Sequence, residues 1–306
     1  MRFDALPSPA DRLAIAAVTE PERAPDAFMT APVGAREDAM RHLLQTAADA
    51  GVGVVATRPE GDVERLLGQA WPFPSPFRVT VRTVALADGL DRIEARARRS
   101  LERMGLPRGE ALLVSNAADL AGAEGRALWD RLKSLKDRGL FRKIGFCATL
   151  DDGPALLARR LEPDLVQIPC NLLDQRAATE GVLAELKAAG AEIHIAHVFA
   201  QGVLFAAGES LPPELAGHAL ALSRVRRRLA ESRLDPMQAA LAFALNLPEA
   251  SAVVASVASA AELRAVLAAA HAPAPAIDWS ALALETPAAR SLGQAADIRY
   301  RINSAA

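Results

Sequence analysis

Tyrosine is nearly missing from this chain: one residue, Tyr300, in 306. Aromatic residues of all kinds make up only 4%. Chemistry that needs a phenol in the body of the chain is therefore excluded, unless the C-terminal tail folds back to supply it. Cysteine is also scarce. Cys147 and Cys170 are the only two, too few for a disulfide framework or a four-cysteine zinc site. A reducing, cytoplasmic setting is expected. No excess of one charge exists, since 35 basic residues face 37 acidic ones, so nothing calls for nucleic acid or a membrane surface as partner. No apolar run is long enough to span a bilayer, and the N-terminus lacks the basic and apolar segments of a signal peptide. No P-loop, HExxH, zinc ladder or serine elbow occurs.

What is present is a hydrophobic fraction of 51%, enough for a large core without crosslinks, and an alternation of short apolar runs with longer helical stretches. The runs are 13–18, 52–55, 77–84, 111–114, 143–147, 165–168, 192–199 and 252–256. Helices are expected at 35–49, through Val63 and Leu66, and at 89–104, 123–137, 152–160, 178–189, 217–230, 236–245 and 259–270. Eight such units predict a single-domain (β/α)8 TIM barrel over 1–272, with 273–306 as a surface extension of the same domain. A doubly wound sheet would place a glycine-rich turn after the first strand. The chain has TEPERAPDAF there, without a glycine. Two arginine runs, at Arg96, Arg98 and Arg99 and at Arg224, Arg226, Arg227 and Arg228, read as solvated helix faces.

Barrel sites form where the chain leaves the C-terminal strand ends. That rule selects Glu20, Arg58, Arg82, Ser115, Asn116, Cys147, Gln167, Asn171 and His197. Arg82 lies in an apolar strand, and one residue of slip would turn it over. Pointing inward, it would need an anion or a buried carboxylate. His194 and His197 are three apart in the seventh run, so they are expected on opposite faces. Asn171 and Asp174 suit a loop fixed by side-chain to backbone bonds. Cys147 reads as a small buried thiol rather than a nucleophile.

Several segments resemble the aldo/keto reductase family: LWDRLKSLKDRGLFRKIGF (128–146), DLVQIPCNLLDQR (164–176), AEIHIAHVFAQGVL (191–204), SAVVASVASAAELRAVLAAA (251–270) and the shorter DVERLLG (62–68). The likeness covers roughly residues 10–270, and the subgroup it resembles is bacterial. The resemblance implies an NADP- or NAD-dependent carbonyl reductase with a tyrosine acid flanked by lysine, aspartate and histidine. Carried over residue by residue, the aspartate falls at Ala56, the tyrosine near Gly61, the lysine at Arg82 and the histidine at Ser115, so all four are altered. The usual nicotinamide-stacking aromatic falls at Ala196, and the serine–asparagine pair for the carboxamide falls at Cys147 and Ala148. Gln167 is kept. A common phosphate-binding arginine falls near Glu262, with Arg264 close by. Weak cofactor binding is the expectation.

The candidate roles are therefore Arg82, His197 and Ser115 for catalysis, Gln167, Cys147 and Arg264 for cofactor, and Arg58, Asn116 and Asn171 for substrate, with no metal. Three readings remain open: an oxidoreductase acting on a small carbonyl or sugar-like compound with an altered proton donor, a different enzyme on the same scaffold, and a non-catalytic barrel that binds a small anionic ligand or a protein partner.

Overall fold

The structure is a computed structural model that describes residues 9–18, 33–72, 74–206, 211 and 213–294. Glu20 and Tyr300 lie outside the described residues. Eight parallel strands pair in sequence order and close into a barrel. They are β1 (Leu13–Ala17), β2 (Val54–Ala56), β3 (Arg78–Arg82), β4 (Gly109–Val114), β5 (Phe141–Cys147), β6 (Leu165–Pro169), β7 (Glu192–Ala196) and β8 (Ala252–Val257). The single-domain (β/α)8 architecture expected from the alternation is the one observed. The helices are α1 (Val33–Asp49), α2 (Val63–Ala70), α3 (Leu90–Met104), α4 (Gly122–Asp137), α5 (Pro154–Leu161), α6 (Val182–Ala188), α7 (Ala219–Glu231), α8 (Pro236–Leu245), α9 (Ala260–His271) and α10 (Thr286–Gln294).

Local chemistry sets these boundaries. In α3, Ile93, Ala97, Leu101 and Met104 recur at helical spacing and are buried, and Gly105 ends the helix in the left-handed conformation at φ 65°. In α8, Asp235 accepts the Gln238 N–H at 2.9 Å with Pro236 in the first turn. The helix expected over 178–189 is interrupted. A short turn at Arg176–Thr179 is followed by Gly181 at φ 79° before α6 begins. Helix α5 starts at Pro154 rather than 152, because Gly153 precedes it at φ 63°.

The strands face two environments. Ile15, Val55, Val81, Leu112, Ile144, Val166, Ile193 and Val253 join the large apolar layer shared with the helices. The inward positions form two smaller clusters, Ala14, Ala56, Ala252 and Val254 on one side and Ala111, Leu113 and Leu165 on the other. Barrel interiors usually hold bulky branched residues. Alanine on β1, β2 and β8 leaves this lumen partly open. On β5 an added Cβ at Gly145 would stand 1.7 Å from the Leu165 carbonyl oxygen, so only glycine lets β5 and β6 approach there.

Two expectations about charge and length need correction. Arg96 is not on a solvated face: its Nη2 bonds Glu64 Oε2 at 2.7 Å, and Glu64 is 1% exposed. The pair ties α2 to α3, with further bonds from Arg96 to the Pro59 carbonyl and Ser100 Oγ. Strand β7 ends at Ala196, three residues short of the expected 199, because His197 turns the chain at φ 54°. The segment read as a surface extension is described to residue 294. Leu282, Leu284, Ala288, Ala289 and Leu292 there are buried in the main apolar layer.

Candidate active site at the barrel mouth

Register decides which way Arg82 points. It pairs with Leu113 of β4, and Leu113 belongs to an inward cluster, so Arg82 enters the lumen. Its Nη2 donates to Gln167 Oε1 at 2.6 Å. The bond joins β3 to β6, which are not neighbours in the sheet, and therefore crosses the barrel. Gln167 is 3% exposed. The same oxygen accepts the Cys147 thiol at 3.4 Å from the adjoining β5. Burial pushes the Cys147 thiol above its usual range, and the charges of Arg82 and Arg58 oppose that rise. Those two cations were not visible as neighbours in the sequence.

Around this pair lie two lobes of one cleft. The first, about 120 Å³, is lined by Ala16, Ala56, Arg58, Ser256 and Gln201 among others. The second, about 150 Å³, is lined by Ser115, Asn116, Cys147, Ala148 and Asp152 among others. Arg82, Gln167, Ala196 and His197 line both. The structure thus gathers Arg58, Arg82, Ser115, Asn116, Cys147, Gln167 and His197 at the C-terminal strand ends. Two expected site residues stand apart. Asn171 is 3% exposed, and its Oδ1 accepts the Leu173 and Asp174 N–H groups, both at 3.0 Å. Arg264 sits on the exposed side of α9.

The polar groups differ in what they have left to offer. The Ser115 hydroxyl donates to the Thr83 carbonyl, and its N–H bonds Thr83 Oγ1 at 3.2 Å. Its proton is committed to the backbone. Asn116 Oδ1 accepts the Ala118 N–H at 3.0 Å, which leaves its amide nitrogen for the cleft. Asp152 Oδ2 accepts both the N–H and the hydroxyl of Thr149, at 2.6 and 2.8 Å. His194 does not reach the mouth. It lies deeper in the lumen, in register with Gln167 and Ala252 and 5% exposed, and burial pushes its pKa down to about 4.

The loop after β7 carries local strain. His197, Ala200 and Gln201 have φ of 54°, 50° and 55°, a left-handed region that costs a non-glycine residue about 1 kcal/mol or more. Two of the three line the cleft. Gln201 escaped the sequence reading because β7 was drawn through 199. Ending the strand at 196 places 197–201 at the mouth. Glu60 and Ser256 were also missed, and the strand-end rule could have found Ser256 on β8.

These features describe a (β/α)8 barrel with a polar, arginine-bearing cleft at the catalytic end of the scaffold. Residues 84–283 match the aldo/keto reductase family, and the chain belongs to that family. The match begins after β3, so Arg58 and Arg82 precede it. No curated protein matches the chain. Among solved structures it is similar to an aldose reductase from Giardia lamblia, at 13% identity and a TM-score of 0.65, covering 89% of this chain and 90% of that one. It is also similar to an aldo-keto reductase from Bacillus halodurans in its apo form, at 15% identity and a TM-score of 0.60, covering 84% and 86%. At such identities the likeness supports the fold.

Family membership raises the question of a nicotinamide dinucleotide. Barrels of this kind often bind phosphate on loops after the last strands and at a helix N-terminus. Here Ser259 Oγ accepts the Glu262 N–H at 3.2 Å, and Glu262 Oε2 accepts the Ala258 N–H at 2.8 Å. An internal carboxylate therefore takes the N–H of Ala258, just before the Ser259 N-cap of α9, and its charge opposes a phosphate there. Beside the cleft, Ala196 and Ala148 offer neither a stacking ring nor a side-chain amide. The described residues do not fit a phosphorylated dinucleotide at these positions. Among them no cluster suits a metal ion either, and no helix is long and apolar enough to cross a membrane.

Proposed function

We propose that this member of the aldo/keto reductase family holds a small ligand in the cleft at its barrel mouth and does not carry out the family's usual carbonyl reduction. The observation that supports this is the Arg82–Gln167 bond across the lumen. A guanidinium that keeps its proton stands where proton delivery would be organised, and the nearby hydroxyl of Ser115 is spent on the Thr83 carbonyl. The Cys147 thiol, raised by burial, does not replace a tuned acid. Weak NADPH binding follows from Glu262, Ala196 and Ala148.

The assay follows NADPH absorbance against a panel of aldehydes and ketones, with calorimetric titration of NADPH alongside. Little turnover and weak binding are expected. Turnover at rates ordinary for the family, or submicromolar affinity, overturns the reading. One observation favours a second reading, an oxidoreductase with an altered donor: His197 lines both lobes beside Arg82. Measurable turnover that disappears in His197→Gln while NADPH affinity is kept would select it.

A further inference from the structure

We infer that the ligand of this cleft is a small carboxylate, gripped by Arg82 inside the lumen with Arg58 at the rim. The inference rests on the reading that the mouth is a ligand site. Its basis is that two arginines face the cleft without a carboxylate partner among the described residues. Several other arginines are matched to carboxylates, Arg96 to Glu64, Arg65 to Asp62 and Glu37, Arg131 to Asp91 and Glu94, Arg176 to Asp174, while Arg12, Arg160 and Arg226 are held by backbone carbonyls. Arg82 bonds only the neutral carboxamide of Gln167 among the described residues, and Arg58 makes no side-chain bond or ion pair there. Glu60 lies exposed on the lining without an ion pair to either. Asp152 is already held by Thr149. Neither carboxylate of the lining pairs with Arg58 or Arg82, and alanine walls give Arg82 little else to interact with. A partly buried cation in such a setting calls for an anion.

The shape of the group narrows the class. Arg82 spends one N–H on Gln167, which leaves further donors of a planar fork that matches a carboxylate in two parallel bonds. Gln167 fixes the orientation of that fork from across the barrel. The two lobes, about 120 and 150 Å³, together fall just below the roughly 300–1,000 Å³ of sites for drug-sized ligands, which suits a small molecule. Phosphate is disfavoured by charge: the Glu60 and Asp152 carboxylates on the same lining repel a dianion more than a singly charged carboxylate.

The test is calorimetric titration of the full chain with pyruvate, its neutral twin pyruvamide and inorganic phosphate, with native mass spectrometry of the purified protein as an independent readout. Pyruvate is expected to bind at least tenfold more tightly than either of the others. Arg82→Met should abolish the preference, and Arg58→Gln should weaken pyruvate several-fold. Arg58 is exposed, so Arg58→Gln remains informative if Arg82→Met fails to fold. Equal binding of pyruvamide, preference for phosphate, or pyruvate affinity unchanged in the arginine variants overturns the carboxylate inference and leaves the ligand-site reading standing. A neutral compound found in the cleft by mass spectrometry does the same. If no probe binds and no small molecule accompanies the protein, both fail.

Discussion

Replacing Arg96 by methionine tests how this barrel holds α2 against α3. The guanidinium is the cation for Glu64, whose side chain is 1% exposed, at 2.7 Å. Glu64 Oε1 already lacks a hydrogen-bond partner among the described residues. Arg96→Met keeps most of the buried aliphatic volume and removes the charge, which leaves a carboxylate sealed from water with neither oxygen bonded. Breaking one side of a buried pair costs about 3–5 kcal/mol. For a chain of this length the unfolding entropy converts 1 kcal/mol into about 1.5 °C, so the melting temperature should fall by about 5–8 °C. The double variant Glu64→Gln with Arg96→Met removes the stranded charge and should recover most of the loss, giving a coupling of about 2 kcal/mol or more in the cycle. Calorimetric or denaturant unfolding of the four proteins measures it. A loss under about 1 kcal/mol for Arg96→Met, or additive losses in the double variant, would refute the assignment of this pair as a buried tie.

Two further outcomes follow from the lumen. Gly145→Ala places a methyl 1.7 Å from the Leu165 carbonyl oxygen. Strands β5 and β6 must then part, and a loss of at least about 3 kcal/mol or failure to fold is expected. Near wild-type unfolding of that variant would contradict the close approach. His194 is held neutral by burial, with a pKa near 4 against an ordinary 6.5. The unfolded chain therefore takes up a proton before the folded one does, and stability is lost as pH falls from about 6.5 toward 4. The full effect is about 3 kcal/mol. Since carboxylates titrate in part of the same window, the measurement is the difference in unfolding free energy between wild type and His194→Gln at pH 7 and pH 4.5. A difference that does not change with pH argues against a neutral His194 in the lumen.

Much of the scaffold was legible because its signals are local. Strand β6 was expected at 165–168 and runs 165–169, and α8 occupies the expected 236–245. In both, apolar spacing and a clear boundary residue lie within the segment itself. Where the reading slipped, the cause was conformational or long-range. A left-handed His197 ended β7 early, and no periodicity rule reports the sign of φ at a histidine. The burial of Arg96 depended on Glu64, which arrives from a different helix.

For the site, the strand-end rule selected residues better than it described their partners. It named Arg82, Gln167, Cys147 and His197, and all four line the cleft. It also named Asn171, whose carboxamide serves its own turn. Family resemblance pointed to Arg264, which lies on the exposed side of α9. Nothing in the sequence said that the side chain of Arg82 would meet Gln167, because that contact spans 85 positions and depends on barrel closure.

By itself the sequence determined the barrel and the scarcity of tyrosine, since both are properties of composition and spacing along the chain. Only the tertiary structure decided which face of β3 carries Arg82, which arginines find carboxylates and which do not, and that Glu262 accepts the Ala258 N–H just before α9. Those outcomes depend on register across strands and on charges brought together from distant segments. Barrel closure is what brings β3 and β6, 85 positions apart at Arg82 and Gln167, into one site.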